Sequence, residues 1–451
     1  MWLIIFIFVV LILLSFLLLF LYGKYVKPSQ VRNFVVKTFP GDVGYTQIKE
    51  IWNQRFNNSH PYEIQQPVND AGVIQIASNL PKIFAIKAGG HNFEWFSTTN
   101  GLLIDLTLLR GLEVSGNLVK IGAGWKLGEL YDTLGSKGWI FAAGTRATVG
   151  MGQLLGGGIG YSTRKFGLLT ENVVEMEIAL ADGRLLVTNE LQNPDLFWAL
   201  RGSGSGNFGI IVSYTMKLFP TQDVTVFTYN YPLNTAEVIE WLTSTERLIM
   251  TENLTCQLVL SKDGLKFTGQ LFGFPGEVKK LLRDLPTPDS EEIKLVSFSE
   301  AMAYWNTPTI VQQVKGKSRF FDKTLSREAI QILISGVREI SQGPGTFTVG
   351  IQQLSGKSLS RTSIPWVKTC PSWINFMLRS QNSLNDYQLL QMTKLYNSIL
   401  PFASSWSYQG FSDIDVMDYK KAYYGKYYAK LKQIKQKYDP NNAFTYPLGI
   451  N

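Results

Sequence analysis

Glycine at the ends of strand-like runs narrows the folds open to this chain more than any other feature. Residues 144–160, GTRATVGMGQLLGGGIG, hold seven glycines in seventeen positions. Such density suits backbone lying against backbone, or against a ligand, where any Cβ would collide. Upstream, IFAIKAGGHNF (83–93) is a short apolar run entering Ala88-Gly89-Gly90-His91. Glycines at a strand end take positive φ and turn successive N–H groups into one concavity, a nest for phosphate. By itself a Gly-Gly-His is equally a plain strand-to-turn pair, so its meaning depends on the residues downstream.

The downstream residues are ordered. GLLIDLTLLRGLEV (101–114) and LVKIGAGWKLGELYDTLGSKGW (118–139) read as strand, turn, strand and an amphipathic helix ended by Gly138. Further on, Gly204-Ser205-Gly206-Asn207-Phe208-Gly209 matches the dinucleotide pattern GxGxxG in form. The run after it, IIVSYTMKLF, is a β-branched strand and not a helix, so the Rossmann reading fails on context.

The remaining inventory removes other classes. With only His60 and His91, and only Cys256 and Cys370, a zinc site or HExxH protease is excluded and no metal is expected. Neither GxSxG nor GxxxxGK[ST] occurs. The net charge of +8 over 451 residues is modest and predicts no nucleic-acid partner. In the lysine-rich stretch 420–438, Tyr424, Tyr427, Tyr428, Leu431, Ile434 and Tyr438 fall at helical spacing, so an amphipathic helix docked by its aromatic face is expected. Trp2 to Leu21 is a 20-residue run whose only polar member is Ser15. As a helix it would span about 30 Å, which predicts a single-pass transmembrane anchor. Lys24, Lys27 and Arg32 come after it, and the positive-inside tendency keeps the large domain cytosolic.

The glycine blocks, with YYGKYYAKLKQIKQKYDPNNAFTYPLGI at 423–450, resemble the FAD-linked oxidoreductases of the vanillyl-alcohol-oxidase superfamily, most closely its berberine-bridge-enzyme-like branch. The likeness is strong over about 42–220 and 405–450 and loose between. It implies an α+β fold: a PCMH-type two-lobed FAD-binding domain (40–220), an inserted antiparallel-sheet substrate domain (221–404) and a C-terminal module (405–451) returning to the FAD domain, behind the anchor at 2–21. It implies removal of a hydride from a CH–OH or similar carbon of a small molecule, a sugar or an alcohol, with electrons passed to oxygen or another acceptor.

Carried over position by position, the resemblance implies that Lys87, Ala88, Gly89, Gly90, His91 and Asn92 form the phosphate loop. Gly144, Thr148, Val149, Gly150, Gly152, Gly157, Gly158 and Gly160 would lie along the flavin and ribityl chain. Asn172, Val173, Ile210 and Ile211 would approach the adenosine half and inner wall, and Asn442 belongs to the Tyr-Asp-Pro-x-Asn-x-Phe run. His91 stands where the family bonds the flavin 8α carbon. Many relatives carry a second link through a cysteine, where this chain has Arg146, so a single covalent link is expected. A tyrosine that relatives use to help deprotonate substrate is replaced by Phe411, which cannot take a proton. Tyr408 and Asp413 are the substitutes, and strand alternation puts Asp413 on the Phe411 side. A flavin-binding protein without turnover is the competing reading. Gln257, Gln270, Lys317, Arg319 and Gln353 are candidates to face the pocket from the middle segment.

Overall fold

The computed structural model describes residues 34–244, 251–306, 312–354, 362–366 and 370–451. Among the described residues no helix is long and apolar enough to cross a membrane. The longest α-helices there have 14 residues, about 21 Å against the roughly 30 Å of a hydrocarbon core. This corrects the expected fold class and the expected membrane location. The run 2–21 lies outside the described residues, and the described architecture contains no anchor.

Within the unit Val35–Asn451, the first lobe is a four-stranded sheet. Its strands are β1 (Val35–Thr38), β2 (Glu63–Pro67), β3 (Phe84–Lys87) and β4 (Leu102–Asp105), in the order β1-β2-β4-β3, parallel across β2-β4-β3 and antiparallel at β1. The helix Asp70–Ala77 crosses between β2 and β3, and Asn69 caps it by accepting the Gly72 N–H at 3.1 Å. The second lobe comprises β5 (Leu112–Ser115), β6 (Leu118–Gly122), a short β7 (Trp139–Ile140), β8 (Val173–Ala179), β9 (Leu185–Asn189) and β10 (Ile210–Lys217). Its antiparallel sheet runs β5-β6-β10-β8-β9, while β7 pairs with β11 (Phe219–Pro220).

The chain then builds β12 (Asp223–Tyr231), β13 (Leu254–Ser261), β14 (Gly264–Leu271), β15 (Ser290–Ser297), β16 (Gln313–Phe321), β17 (Thr346–Gln353) and β18 (Ser372–Ser380). They form one antiparallel sheet in the order β15-β12-β14-β13-β17-β18-β16. Helices pack on it, and Arg327–Ile340 shows why they form. Ser326 caps its N-terminus through the Ala329 N–H, and Ile330, Leu333, Ile334 and Val337 recur on one buried face. Burying each such side chain contributes about 1.5–3 kcal/mol.

The terminal segment returns to the lobes and shares their hydrophobic core through Tyr424, Leu431, Ile434 and Tyr438. The single helix expected over 420–438 is broken at Gly425. A Cβ there would lie 2.1 Å from the Trp406 ring, and the chain divides into a π-helical turn, Lys420–Tyr424, and an α-helix, Tyr428–Tyr438.

Candidate active site

A cavity of about 870 Å³ lies between the lobes and the seven-stranded sheet. Its floor is where β3 ends. Gly89 and Gly150 meet there backbone to backbone: a Cβ on Gly89 would lie 2.1 Å from the Gly150 nitrogen, and one on Gly150 2.3 Å from the Gly89 nitrogen. Only glycine fits at either position, and the result is a stretch of wall without side chains. Ala88, Gly89, Gly90, His91, Asn92, Gly144, Val149, Gly150, Gly152, Ile210 and Ile211 all line the cavity.

His91 is held from two sides. Its ring stacks on Trp52 with centroids 5.0 Å apart and planes 15° from parallel, and its Nε2 lies 2.7 Å from Thr148 Oγ1. Burial, then the Lys126 and Arg146 charges, pull its pKa down to about 4. The imidazole is therefore neutral at physiological pH, with a ring-nitrogen lone pair free of a proton.

Other expected positions stand away from the cavity wall. Lys87 points behind β3, where its Nζ pairs with Asp105 at 2.8 Å. Gly160 packs on the Ala143 carbonyl and Gly158, at φ +74°, on the Leu169 side chain. Gly157 lies against Ile364. Asn172 donates to the Leu168 carbonyl at 3.2 Å, Val173 opens β8 in the core, and Asn442 sits in the turn after the terminal helix.

The roof comes from the sheet and the terminal module. Trp373, Met377 and Arg379, on one face of β18, line the cavity together with Thr346, Tyr408 and Phe411. Phe411 stacks on Phe93 with centroids 4.2 Å apart. The Tyr408 hydroxyl oxygen accepts the N–H groups of Gly158 at 3.2 Å and Ile159 at 3.4 Å. Burial raises its pKa above the ordinary 10, and the two N–H donors work the other way.

The strand expected at 408–413 is not present. Residues 409–411 form a 3-10 turn, closed by the Phe411 N–H to the Tyr408 carbonyl at 2.9 Å, so period-two alternation does not apply. Asp413 is buried and outside the cavity wall, with Oδ1 2.6 Å from Lys315 and Oδ2 3.0 Å from Lys317. Lys315 also reaches Glu94 at 2.9 Å, and both lysines reach Asp415. Burial works against the Lys315 ammonium, but the Asp413 and Glu94 carboxylates outweigh it and raise its pKa. The cluster ties the first lobe, β16 and the terminal module together.

The five middle-segment candidates also serve contacts outside the cavity wall. Gln257 accepts from Tyr161 at 3.0 Å, Gln270 from Trp305 at 3.0 Å, and Gln353 from the Cys256 N–H at 3.3 Å. Lys317 belongs to the ion cluster, and Arg319 donates to the Ser405 carbonyl at 2.8 Å. Cys256 and Cys370 are both buried. Trp52, Trp373, Met377 and Arg379 are the residues that sequence reasoning missed. In SWINFMLRS the alternation of Trp373, Met377 and Arg379 with Ile374, Phe376 and Leu378 was the available signal.

The wall fits an FAD. The side-chain-free floor leaves room for close approach. Among the described residues, Gln153 Nε2 and Gln409 Oε1 are buried without a hydrogen-bond partner, and both residues line the cavity. Buried polar atoms of this kind call for a polar ligand.

Two family models match the chain, one described as an FAD binding domain over residues 71–189 and one as berberine and berberine like over 407–451. The uncharacterized FAD-linked oxidoreductase YgaK of Bacillus subtilis is 31% identical over 399 residues, covering 81% of this chain and 85% of that protein. Among solved structures, BBE-like 1 of Physcomitrella patens superposes with a TM-score of 0.82 at 23% identity, covering 92% of this chain and 97% of that one. A chitooligosaccharide oxidase superposes with a TM-score of 0.84 at 22% identity, covering 92% and 97%. At these identities the two structures establish the fold.

Proposed function

The chain belongs to the berberine-bridge-enzyme-like FAD-linked oxidoreductases, and on that premise we propose that it oxidises a carbinol carbon of a small molecule held under the seven-stranded sheet. It is an oxidoreductase and FAD is its cofactor. The observation that carries the finer reading is the cavity in which the glycine floor, His91 and the β18 face meet. Sugars are the first class to try, because a chitooligosaccharide oxidase and a xylooligosaccharide oxidase share the fold.

FAD, when bound, would supply a two-electron acceptor for the hydride of the carbinol carbon and a route for the electrons to oxygen or another acceptor. Gly89, Gly90 and Gly150 would hold its phosphates and ribityl chain against a wall without side-chain obstruction. His91 provides the attachment point. Thr148 engages Nε2, so we assign Nδ1 to the bond with the flavin 8α carbon. No second link is expected, since Arg146 has no nucleophilic sulfur.

The hydroxyl proton of the substrate has to leave as the C–H bond breaks. We assign its acceptance to Tyr408, whose oxygen has two backbone N–H donors aimed at it that partly offset the burial raising its pKa. Asp413, engaged on both oxygens by lysines, acts as a positioning residue for the terminal module. Trp373, Phe93 and Phe411 supply an apolar wall that excludes water from the reacting carbon.

The test has two parts. Acid-precipitated protein should retain its yellow flavin in the pellet, and His91→Ala should release it. Anaerobic mixing with sugars and alcohols should bleach the flavin band; absence of bleaching by any carbinol compound would remove the oxidation reading while leaving FAD binding intact.

A further inference from the structure

The two ends of the seven-stranded sheet are finished differently. At one end β16 is closed in by the terminal module: the Phe320 N–H donates to the Trp406 carbonyl at 3.1 Å, and the Ser404 N–H to the Phe320 carbonyl at 2.8 Å. At the other end stands β15, whose eight residues, Ser290–Ser297, pair in register with Asp223 to Asn230 of β12. Among the described residues the outer edge of β15 pairs with no strand. Alternate N–H and C=O groups along it point away from β12 and offer the pattern for one more strand.

Native proteins blunt such edges with proline, with charges that repel a copy of themselves, or by covering them. The sequence of β15, SEEIKLVS, holds no proline and carries charges of both signs. Glu292 and Lys294 lie on one face of the strand, and Glu291, Ile293 and Leu295 on the other. The helix Phe298–Trp305 orders the first face. The Tyr304 hydroxyl donates to Glu292 at 2.6 Å, Lys294 sits 5.9 Å from the Tyr304 ring centre, and Glu292 and Lys294 pair with each other while remaining about half-exposed. On the second face Glu291 pairs with Lys279 of the helix Pro275–Leu281 at 3.3 Å, and Leu295 is exposed.

We propose that β15 is a dimer edge: it pairs with β15 of a second copy of this chain, antiparallel about a two-fold axis through Ile293, and joins the two seven-stranded sheets into one. Residues opposite each other in such a pair share a face, so an axis normal to the sheet passes through one residue and its copy. Of the three central registers, those through Glu292 and through Lys294 set like charges face to face. The register through Ile293 sets Glu292 opposite Lys294 twice, and with the pair inside each strand the four charges alternate around a square. Ile293 then meets its own copy, and Glu291 faces Leu295. Charge thus selects one register of the three. No residue of β15 lines the cavity, and β18 stands five strands along the sheet from it, so the pairing holds or fails independently of the reaction.

The experiment is sedimentation equilibrium of the full-chain holoenzyme, with flavin content and melting temperature recorded for each variant. The wild type should associate to a dimer. Lys294→Glu and Glu292→Lys each turn both cross-strand attractions into repulsions, and each should raise the dimer dissociation constant about 10- to 100-fold. The two single variants mixed in equal amounts should associate as the wild type does, because one brings two lysines where the other brings two glutamates. The doubly exchanged chain, Glu292→Lys with Lys294→Glu, should recover as well. Amide exchange over 290–297 should slow as protein concentration rises, and activity per flavin should be the same throughout.

A wild type that stays monomeric up to about 100 µM, association that survives both single reversals, or single variants that fail to associate when mixed would overturn the proposal. So would association without slower exchange over 290–297, which would put the interface elsewhere in the chain. Glu292 and Lys294 are surface positions, and the mixed sample carries any local disturbance of the single variants, so its recovery cannot come from restored folding.

Discussion

On the floor of the cavity Gly89 and Gly150 press backbone on backbone, while on the roof Trp373, Met377 and Arg379 project from alternate positions of an ordinary antiparallel strand. The floor works by the absence of side chains, so its tolerance for change is almost nil and its chemistry is generic. The roof works by side chains on a scaffold that holds its shape whatever they are.

The largest effect should come from adding atoms to the floor. Gly150→Val places methyl groups where the Gly89 backbone already stands, 2.3 Å from the ideal Cβ. Bound FAD should fall close to zero, with a stability cost of about 3 kcal/mol, the upper end of the usual range for overpacking. Met377→Leu on the roof, a swap of similar volume, should keep full flavin content and cost less than about 1.5 kcal/mol. The ratio of flavin to protein absorbance and thermal melts decide both. Equal flavin loss in the two variants would erase the distinction between floor and roof.

A second contrast sits in the roof itself. Tyr408→Phe removes the hydroxyl that accepts the Gly158 and Ile159 N–H groups. If Tyr408 takes the substrate proton, flavin reduction should slow by roughly 10²–10⁴-fold with FAD retained. Its pKa is raised above the ordinary 10 by burial, so the wild-type reduction rate should still be climbing with pH in the alkaline range. That limb should vanish in Tyr408→Phe, and its persistence would send the base role elsewhere.

The floor was legible in the sequence because glycine is the only residue that satisfies such a contact, and the requirement leaves a visible mark. The stack of His91 on Trp52 was not legible, since the two rings are brought together only by the packing of β3 against the segment before β2. Gln257 and Gln353 were chosen on alternation within single strands. Which strand faces what depends on the order β15-β12-β14-β13-β17-β18-β16, whose neighbours are distant in sequence. Asp413 was misplaced because a strand was assumed where Gly410 sits in a 3-10 turn.

The ion cluster beside the roof should behave as a seam. Lys315→Met leaves Glu94 and Asp413, both almost fully buried, without their shared ammonium. Breaking a buried pair from one side costs about 3–5 kcal/mol. Melting should therefore fall sharply while the flavin content of the remaining folded enzyme stays unchanged. A Lys315→Met protein of wild-type stability would show that the cluster contributes little to joining the terminal module to the lobes.

The smallest effect belongs to the rim of that seam. Asp415 lies 2.9 Å from Lys315 and 3.0 Å from Lys317, but its side chain is 51% exposed. Burial raises its pKa, Lys315 and Lys317 lower it, and the balance falls to about 2 from an ordinary 3.8. The folded state thus binds fewer protons than the unfolded state between those values, and stability rises with pH there. The carboxylate contributes fully above about pH 4, and its contribution is lost as pH falls through 2. Solvent screening at a half-exposed site keeps it below about 1 kcal/mol. Urea midpoints of wild type and Asp415→Asn should therefore differ slightly at neutral pH and low salt, less at high salt, and less again near pH 3. A gap that stays constant from neutral pH to about pH 3 would mean that the aspartate acts through packing, and that the charge at the edge of the seam is as inconsequential as a free surface pair.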